Sequence, residues 1–264
     1  MIRIAIAGAA GRMGGALIAA LPDHPGLRLT AAFERAGSHE IGRTVTGGGA
    51  AVVVRPFSQD VLGEVDVLVD FTHPEATLAH VAGCVVMGKR LVIGTTGFDE
   101  SGLDALRAAS RHVAIVHAPN MSPGVNLCFQ LVGLAARALG TDADIEVIEA
   151  HHRQKKDAPS GTALRLGEVA ASARGQSLGE HARHGRQGPA AGPRPAGEIG
   201  FSAIRAGDIV GDHTVLFALP GERIEITHRA SSRDNFARGA LLAAGWVMGR
   251  STGFFDMQDV LGLR

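Results

Sequence analysis

The fourteen residues at 149–162, EAHHRQKKDAPSGT, concentrate side chains that transfer protons and bind anions. Of the 26 lysine and arginine residues in the chain, only Lys89, Lys155 and Lys156 are lysines. An arginine stays protonated at any useful pH, whereas burial or a nearby cation can lower the pKa of a lysine. We therefore expect one of Lys155 and Lys156 to donate a proton and the other to be solvated.

The turn Pro159-Ser160-Gly161-Thr162 precedes an Ala/Leu-rich run and predicts a helix over 160–173. The free N–H groups of a helix start bind anions, and Ser160 or Thr162 can cap the helix or donate a hydroxyl. With a lysine and a histidine nearby, the turn predicts a pocket for a carboxylate, although a phosphate would fit the same features. The alternative is an ordinary capped helix after a solvated charged loop.

A metal centre is not expected. His151 and His152 are adjacent, so in a regular strand they would point to opposite faces. The chain has no cysteine cluster and no H-E-x-x-H spacing. Its only cysteines, Cys84 and Cys128, lie in apolar stretches and are expected to be small buried hydrophobic residues, as suits a reducing cytoplasm.

A second chemical motif is the N-terminal RIAIAGAAGRMGGALIAAL, which places Gly8, Gly11 and Gly14 between a strand and a helix. Such glycines allow close backbone approach to a pyrophosphate at the start of the helix. Glu34 follows Gly14 by twenty residues, where an acid would hold the adenosine ribose hydroxyls. Arg35 could meet the extra phosphate of NADP, unless it is merely solvated. The pair predicts tolerance of NADH and NADPH.

Two further turns, GTTG at 94–97 and APNMS at 118–122, follow apolar strands and consist of small residues. Ligands of open parallel sheets bind outside the carboxyl ends of the strands. These turns are therefore expected to flank the nicotinamide, although each could be a simple turn.

The elements that must carry these motifs change in type along the chain. Apolar strands at 3–8, 28–34, 51–56, 65–72, 90–96 and 113–120 alternate with helices at 11–21, 75–87 and 100–110. This alternation predicts a doubly wound parallel sheet. After a helix at 123–139 and the strand ADIEVIEAHH, a polar Gly/Pro/Arg-rich loop is predicted at 174–198. Three consecutive strands then predict a second domain with a mixed or antiparallel sheet, and a last helix could return to the first domain.

Composition limits the function classes. The net charge is zero, aromatic residues make up 4% of the chain and tyrosine is absent, which argues against a nucleic-acid partner. The N-terminus lacks the pattern of a signal peptide, and no apolar run approaches the ~18 residues that span a bilayer. We expect a cytoplasmic protein without a membrane partner.

The chain resembles the 4-hydroxy-tetrahydrodipicolinate reductase (dihydrodipicolinate reductase) family of the diaminopimelate and lysine pathway, over essentially its full length. The segments that carry the resemblance are AGAAGRMG, FER, DFTHPE, VIGTTGF, APNMSPGVN, EAHHRQKKDAPSGTA, RAGDIVGDHTVLF and ERIEITHRASSR. Ala10 departs from a glycine often found in the turn, and 174–198 matches no signature.

The resemblance implies an NADH- or NADPH-dependent, metal-free reduction of 4-hydroxy-tetrahydrodipicolinate with loss of water. It implies a Rossmann-like dinucleotide domain, 1–122 with 232–264, and a central α+β domain, 123–231, for substrate binding and homotetramer formation. His151 and Lys155 take the proton-transfer positions, and His152, Gly161 and Thr162 contact a substrate carboxylate. The cofactor positions are Gly8, Ala9, Ala10, Gly11, Arg12, Met13, Glu34, Arg35, Gly94, Thr95, Thr96, Ala118, Pro119, Asn120 and Met121.

Two other functions remain possible from the residues. A non-enzymatic regulator could sense NAD(H) on the same fold, but it has no use for a proton donor beside a carboxylate pocket. A semialdehyde or homoserine type of dehydrogenase could share the scaffold. The semialdehyde type needs a cysteine nucleophile, and Cys128 lies in an apolar helical run.

Overall fold

The computed structural model of the protein describes residues 1–188, 192–232 and 234–264. The chain divides into two compact units, Met1–Pro123 with Asp234–Arg264, and Gly124–Arg233. Residues 189–191, inside the predicted loop, and residue 233, inside the predicted C-terminal part of the first domain, lie outside the described residues.

In the first unit, the described residues form an eight-stranded sheet. Its strands are β1 Ile2–Ala7, β2 Leu27–Glu34, β3 Thr44–Gly47, β4 Ala50–Pro56, β5 Val67–Asp70, β6 Arg90–Ile93, β7 Ala114–His117 and β13 Gly253–Phe255. The order across the sheet is β13-β7-β6-β5-β1-β2-β4-β3, and every pairing is parallel except that of β3 with β4. The predicted doubly wound sheet is confirmed.

Helices cover both faces of this sheet, because its central strands are apolar on both sides. Ile4 and Ile6 of β1 lie in one core, and the intervening Ala5 and Ala7 lie in the other. The helices of this unit are α1 Arg12–Ala20, α2 Gln59–Leu62, α3 Pro74–Met87, α4 Glu100–Ala109, α8 Asp234–Trp246 and α9 Met257–Val260. The α1 and α8 side chains pack in the first core, and those of α3 and α4 pack in the second.

Several predicted strands end earlier than expected at the carboxyl edge of the sheet. The predictions 65–72, 90–96 and 113–120 correspond to β5, β6 and β7, which end at Asp70, Ile93 and His117. The physical reason is visible after β5 and β6. The N–H of Thr72 donates to Asp70 and Thr95 side chains rather than to a neighbouring strand. Side-chain hydrogen bonds thus turn the chain out of the sheet.

In the second unit, the described residues form a five-stranded mixed sheet. Its strands are β8 Asp144–His151, β9 Ala182–His184, β10 Ile199–Arg205, β11 Gly211–Leu219 and β12 Glu222–Ala230, in the order β12-β11-β8-β10-β9. The helices are α5 Pro123–Leu139, α6 Gly161–Ala173 and α7 Leu178–His181. One core is formed between α5, α6 and the buried face of the sheet. The predicted mixed sheet is confirmed.

Two expectations need correction. The segment predicted as a loop at 174–198 contains α7 and β9, and β9 adds to the edge of the sheet by parallel pairing with β10. Apolar periodicity could not show this, because β9 has only three residues and its exposed positions are polar. Cys84 is buried as expected, but Cys128 is half-buried. No helix within the described residues has the length and apolarity required to cross a membrane.

Candidate active site

The residues expected to transfer protons lie on β8 and the loop after it. Glu149 and His151 share the buried face of β8, since its side chains alternate between faces. The strand register adds two partners: His213 lies opposite Glu149, and Arg205 pairs with His151. Together with Ser160, we call these residues the His151 cluster.

Glu149 is the centre of the His151 cluster and is only 1% exposed. Its Oε2 lies 2.6 Å from Nδ1 of His151, and its two oxygens accept hydrogen bonds of 2.7 and 2.8 Å from Arg205. Burial by itself would raise the pKa of Glu149, but the hydrogen bonds from Arg205 and His151 hold it below its ordinary value. The charged carboxylate thus fixes Nδ1–H of His151 as a donor and leaves Nε2 for proton exchange.

His213 contributes a neutral ring to the cluster. Its Nε2 lies 3.0 Å from Oγ of Ser160, and its ring meets that of His151 edge-on at 5.1 Å between centroids. Burial, and then the neighbouring charge of His151, lowers the pKa of His213 to about 4. His213 is therefore uncharged at neutral pH.

The two adjacent lysines have different surroundings. The Lys155 side chain is half-buried, and its Nζ lies 2.9 Å from Oδ1 of Asp157, a contact that lowers the pKa of the Asp157 carboxyl. Arg205 donates to the carbonyl of Asp157 at 2.6 Å, so it ties this loop to Glu149. Lys156, by contrast, is exposed. Lys155 is therefore the lysine with a fixed position.

The turn at 159–162 starts a helix, as predicted. Ser160 is the N-cap of α6, and its Oγ accepts a hydrogen bond of 3.2 Å from the N–H of Ala163. The N–H of Ser160 donates to Glu149 at 3.1 Å, which fixes the turn to the His151 cluster. Gly161 and Thr162 are the first residues of α6, with open space where a Gly161 side chain would lie, and His152 is half-buried just beyond β8.

In the first unit, residues 8–11 form the glycine turn between β1 and α1, and Arg12 and Met13 begin the helix. Gly8 has a φ of +71°, and a Cβ at Gly14 would overlap the carbonyl oxygen of Gly8. The N–H of Ala10 donates to Oε1 of Glu34 at 3.1 Å, so the acid at the end of β2 already contacts the turn. Ala10 is exposed, and nothing in the turn requires glycine there. Arg35 is exposed.

The remaining predicted cofactor residues follow β6 and β7, on the same carboxyl edge. Thr95, Ala118 and Met121 are buried; Gly94 and Asn120 are half-buried; Thr96 and Pro119 are exposed. Because β1, β2, β6 and β7 run parallel within one sheet, all these turns lie along one edge. The sequence prediction that these motifs share an edge agrees with this placement.

Sequence reasoning missed three members of the His151 cluster. Glu149 could have been found, because it lies two residues before His151 and a strand places both on one face. Arg205 and His213 lie more than fifty residues from their partners, and only the strand register brings them to Glu149. A further polar network around Asp70 in the first unit was also missed.

The structure offers little support for metal or thiol chemistry. Among the described residues, no group of three or more His, Cys, Asp or Glu side chains could hold a metal ion. Burial raises the pKa of Cys84 to about 12 and also raises that of Cys128. A nucleophilic cysteine needs a lowered pKa, so neither thiol fits the semialdehyde type of dehydrogenase.

The doubly wound sheet, its glycine turn and the acid at the end of β2 define a class, the oxidoreductases that use a nicotinamide cofactor. Two family models match the chain: "Dihydrodipicolinate reductase, N-terminus" at residues 2–121, and "Dihydrodipicolinate reductase, C-terminus" at 124–261. Together they cover nearly the whole chain. The chain belongs to the dihydrodipicolinate reductase family, as its motifs predict.

Relatives with curated names agree. The chain is 56% identical to a 4-hydroxy-tetrahydrodipicolinate reductase of Methylococcus capsulatus, with 100% of this chain and 99% of that one covered. It is 55% identical to the reductase of the same name from Laribacter hongkongensis, with the same coverage. Among solved structures, a dipicolinate-bound dihydrodipicolinate reductase from Paenisporosarcina sp. TG-14 matches with a TM-score of 0.79, 25% identity and 98% of both chains covered.

Proposed function

We propose that the protein reduces 4-hydroxy-tetrahydrodipicolinate to tetrahydrodipicolinate, with loss of water, in diaminopimelate and lysine biosynthesis. Relatives that carry this activity in their names align over the full chain. The structural observation that carries the proposal is the position of Glu149. Its carboxylate accepts hydrogen bonds both from Nδ1 of His151 and from the N–H of Ser160 at the start of α6. One carboxylate thus orients a proton-transferring histidine and an anion-binding helix start.

The first unit fits a dinucleotide. Gly14 packs against the backbone of Gly8 and Ala9 with no room for a Cβ, which keeps the glycine turn tight, and Glu34 lies within hydrogen-bond distance of that turn. We assign pyrophosphate contacts to residues 8–13, adenosine contacts to Glu34 and Arg35, and nicotinamide contacts to 94–96 and 118–121. A reduced nicotinamide, when bound, supplies a hydride for the reduction.

Both NADH and NADPH are proposed as cofactors. Glu34 can accept hydrogen bonds from the two ribose hydroxyls of NADH. Arg35 is exposed and adjacent, so its guanidinium can reach the ribose phosphate of NADPH. The N–H of Arg35 lies 3.3 Å from Oε2 of Glu34, so the two residues form one short unit for recognising the ribose.

The substrate is proposed to be a small dicarboxylate, held by the second unit. His152, Gly161 and Thr162 are the residues assigned to one carboxylate. The N–H groups of the first turn of α6 point out of the helix start, where an anion is stabilised by the helix dipole. The related Paenisporosarcina reductase was solved with dipicolinate bound, which supports a ligand of this class.

Proton transfer is assigned to His151 and Lys155. The net reaction adds one hydride and one proton to the ring and removes one water, so a proton donor is required. Nε2 of His151 is available because Nδ1 donates to Glu149. A side chain at Gly211 would crowd Nε2, with its Cβ only 3.0 Å away, so the glycine leaves room for this atom. Lys155 is the second donor, positioned by Asp157.

We further propose a homotetramer formed through the second unit. The face of its sheet opposite the core exposes Ile148 on β8 and Ile204 on β10, and these apolar side chains would suit burial against another subunit. A cytoplasmic location is proposed as well. It is supported by two free cysteines, Cys84 and Cys128, the only ones in the chain.

A coupled assay tests the proposed activity. The substrate is generated in situ by enzymatic condensation of pyruvate with aspartate semialdehyde, and loss of reduced cofactor is followed with NADH and with NADPH. Rapid oxidation that requires both precursors is expected. Binding of cofactor without oxidation would instead favour a regulator that senses NAD(H).

A further inference from the structure

Five polar side chains form a second network at the carboxyl edge of the sheet in the first unit. Asp70 is the last residue of β5, Thr72 follows it, Thr95 follows β6, and Thr77 and His80 lie on α3. We call these residues the Asp70 network. Asp70 and Thr77 are fully buried, and His80 and Thr95 are nearly so.

Asp70 is the acceptor at the centre of this network. Its Oδ2 lies 2.7 Å from Nδ1 of His80, and its Oδ1 accepts from the N–H and the hydroxyl of Thr72 at 2.9 and 2.6 Å. A carboxylate buried this deeply needs such partners to offset the loss of water. Since Asp70 accepts, Nδ1 of His80 donates. The helix α3 thereby fixes the carboxylate from one side.

Hydroxyl groups connect the turn after β5 to the turn after β6. Oγ of Thr77 donates to Oγ of Thr95 at 2.9 Å, and Oγ of Thr95 accepts from the N–H of Thr72 at 3.1 Å. The hydroxyls of Thr72 and Thr77 are 3.2 Å apart. Hydroxyl hydrogen bonds therefore join the two turns to each other and to α3, in addition to the backbone hydrogen bond of 2.9 Å from Gly94 to Asp70.

Close packing extends these links to the glycine turn. A Cβ at Gly94 would overlap the ring of Phe71, so the two turns approach each other as closely as a glycine allows. A Cβ at Gly8 would lie 3.1 Å from the methyl group of Thr72. The Asp70 network thus holds the turns after β5 and β6 in one arrangement, and the glycine turn packs against Thr72.

We propose that the Asp70 network positions the turn after β6 for the nicotinamide end of the cofactor, with Asp70 and His80 as positioning residues. This inference rests on the proposed cofactor site. A buried ionisable pair costs stability compared with apolar residues of similar size, so a purely packing role would be served better by a hydrophobic side chain at position 80. The ring of His80 already packs against that of Phe57 in a tilted arrangement, with 4.4 Å between centroids. We therefore assign the hydrogen bond between Asp70 and His80 to fixing the position of the turn and not to stabilising the core.

The test compares the binding of NADH with that of ADP-ribose, which lacks the nicotinamide, by titration calorimetry on the full-length protein. His80→Leu removes the hydrogen-bond donor to Asp70. Thr77→Val removes one hydroxyl at nearly constant shape and keeps Asp70 fully paired. Both variants are expected to raise the Kd for NADH, by about tenfold for His80→Leu, and to leave the Kd for ADP-ribose within about twofold.

Two further variants sharpen the test. His80→Asn retains an N–H near the position of Nδ1 and is expected to recover most of the NADH affinity. His112→Asn alters an exposed histidine of the same unit and is expected to bind both ligands like the parent protein. If His80→Leu fails to fold, the Thr77→Val result decides.

Equal loss of both ligands, or loss of neither, would overturn the positioning role. Failure of the proposed cofactor site would look different, because the parent protein itself would then bind neither NADH nor ADP-ribose.

Discussion

Oε2 of Glu149 lies 2.6 Å from Nδ1 of His151, and the same carboxylate is held by Arg205 and by the N–H of Ser160. One buried acid therefore sets the tautomer of a histidine, the position of a strand end and the start of a helix. We therefore expect Glu149 to orient His151 for the proposed proton transfer.

Glu149→Gln should lower kcat by at least about 100-fold, with a smaller change in KM, since an amide no longer enforces the Nδ1–H tautomer of His151. The measurement is steady-state turnover in the coupled assay, with circular dichroism to verify folding. Glu168→Gln on α6, whose side chain is half exposed, serves as the matched control. A kcat within twofold of the parent value would exclude the orienting role of Glu149.

Lys155→Ala is expected to lower kcat by ~100- to 10,000-fold, the usual contribution of a positioned acid, with substrate binding less affected. Lys156→Ala should leave kcat nearly unchanged, because that side chain is exposed. The two variants are compared in the same assay. An equal loss in both would contradict the assignment of the proton to Lys155.

The pH dependence of stability should carry a contribution from His213. The pKa of this residue falls from an ordinary 6.5 to about 4 on folding, so between these values the unfolded chain binds a proton that the folded chain does not. The contribution is complete above pH 6.5 and is lost as the pH falls toward 4. Burial also lowers the pKa of His117 and His228, which acts in the same direction.

Urea unfolding at pH 7.5 and pH 5 measures this effect. The free energy of unfolding of the parent protein should fall by about 2 kcal/mol more than that of His213→Asn over this interval. Equal pH dependence in the two proteins would show that His213 is not held neutral by the fold.

The glycine turn offers a comparison between neighbouring residues. A Cβ at Gly14 would overlap the backbone at Gly8, so Gly14→Ala should lower the free energy of unfolding by ~1–3 kcal/mol and weaken NADH binding. Gly15 has no atom within 4 Å of its Cβ position, so Gly15→Ala should be neutral or stabilise α1 by up to ~1 kcal/mol. Chemical denaturation and NADH titration report both quantities. Equal behaviour of the two variants would contradict the close contact at Gly14.

Arg35→Ala tests the cofactor preference. The loss of a charge-assisted hydrogen bond should raise KM for NADPH by about tenfold and leave KM for NADH within about twofold. Arg28→Ala, an exposed arginine on β2 remote from the strand end, is the control. The same change of KM for both cofactors would remove Arg35 from recognition of the ribose phosphate.

The sequence was most informative where local periodicity and fold agree. The central strands β1, β5, β6 and β7 are short apolar runs followed by small or polar turn residues, so both their existence and their common edge could be predicted. Of the hairpin formed by β3 and β4, only β4 was predicted. The adjacent glycines Gly48 and Gly49, which both adopt positive φ in a tight two-residue turn, were the sequence signal for the hairpin. β13 has only three residues and pairs with β7 from more than 130 positions away, which no local pattern reveals.

The part of the candidate site that lies in one short stretch of the sequence could be predicted. His151, Lys155 and the Ser160 turn lie within ten residues of each other, and their types indicate proton transfer and anion binding. Arg205, His213, Asp70 and His80 are ordinary residues in their local context. Their importance comes from strand register and from α3, that is, from tertiary structure that brings distant charges together.

Transfer of deuteride from cofactor to product tests the reductase assignment most directly. Reduced cofactor labelled with deuterium at the transferable position is incubated with the protein and the condensation product of pyruvate and aspartate semialdehyde. Mass spectrometry of the tetrahydrodipicolinate should show one added deuterium, and the Lys155→Ala protein should form this product far more slowly. Cofactor binding without deuterium in the product would contradict the reductase function of this chain.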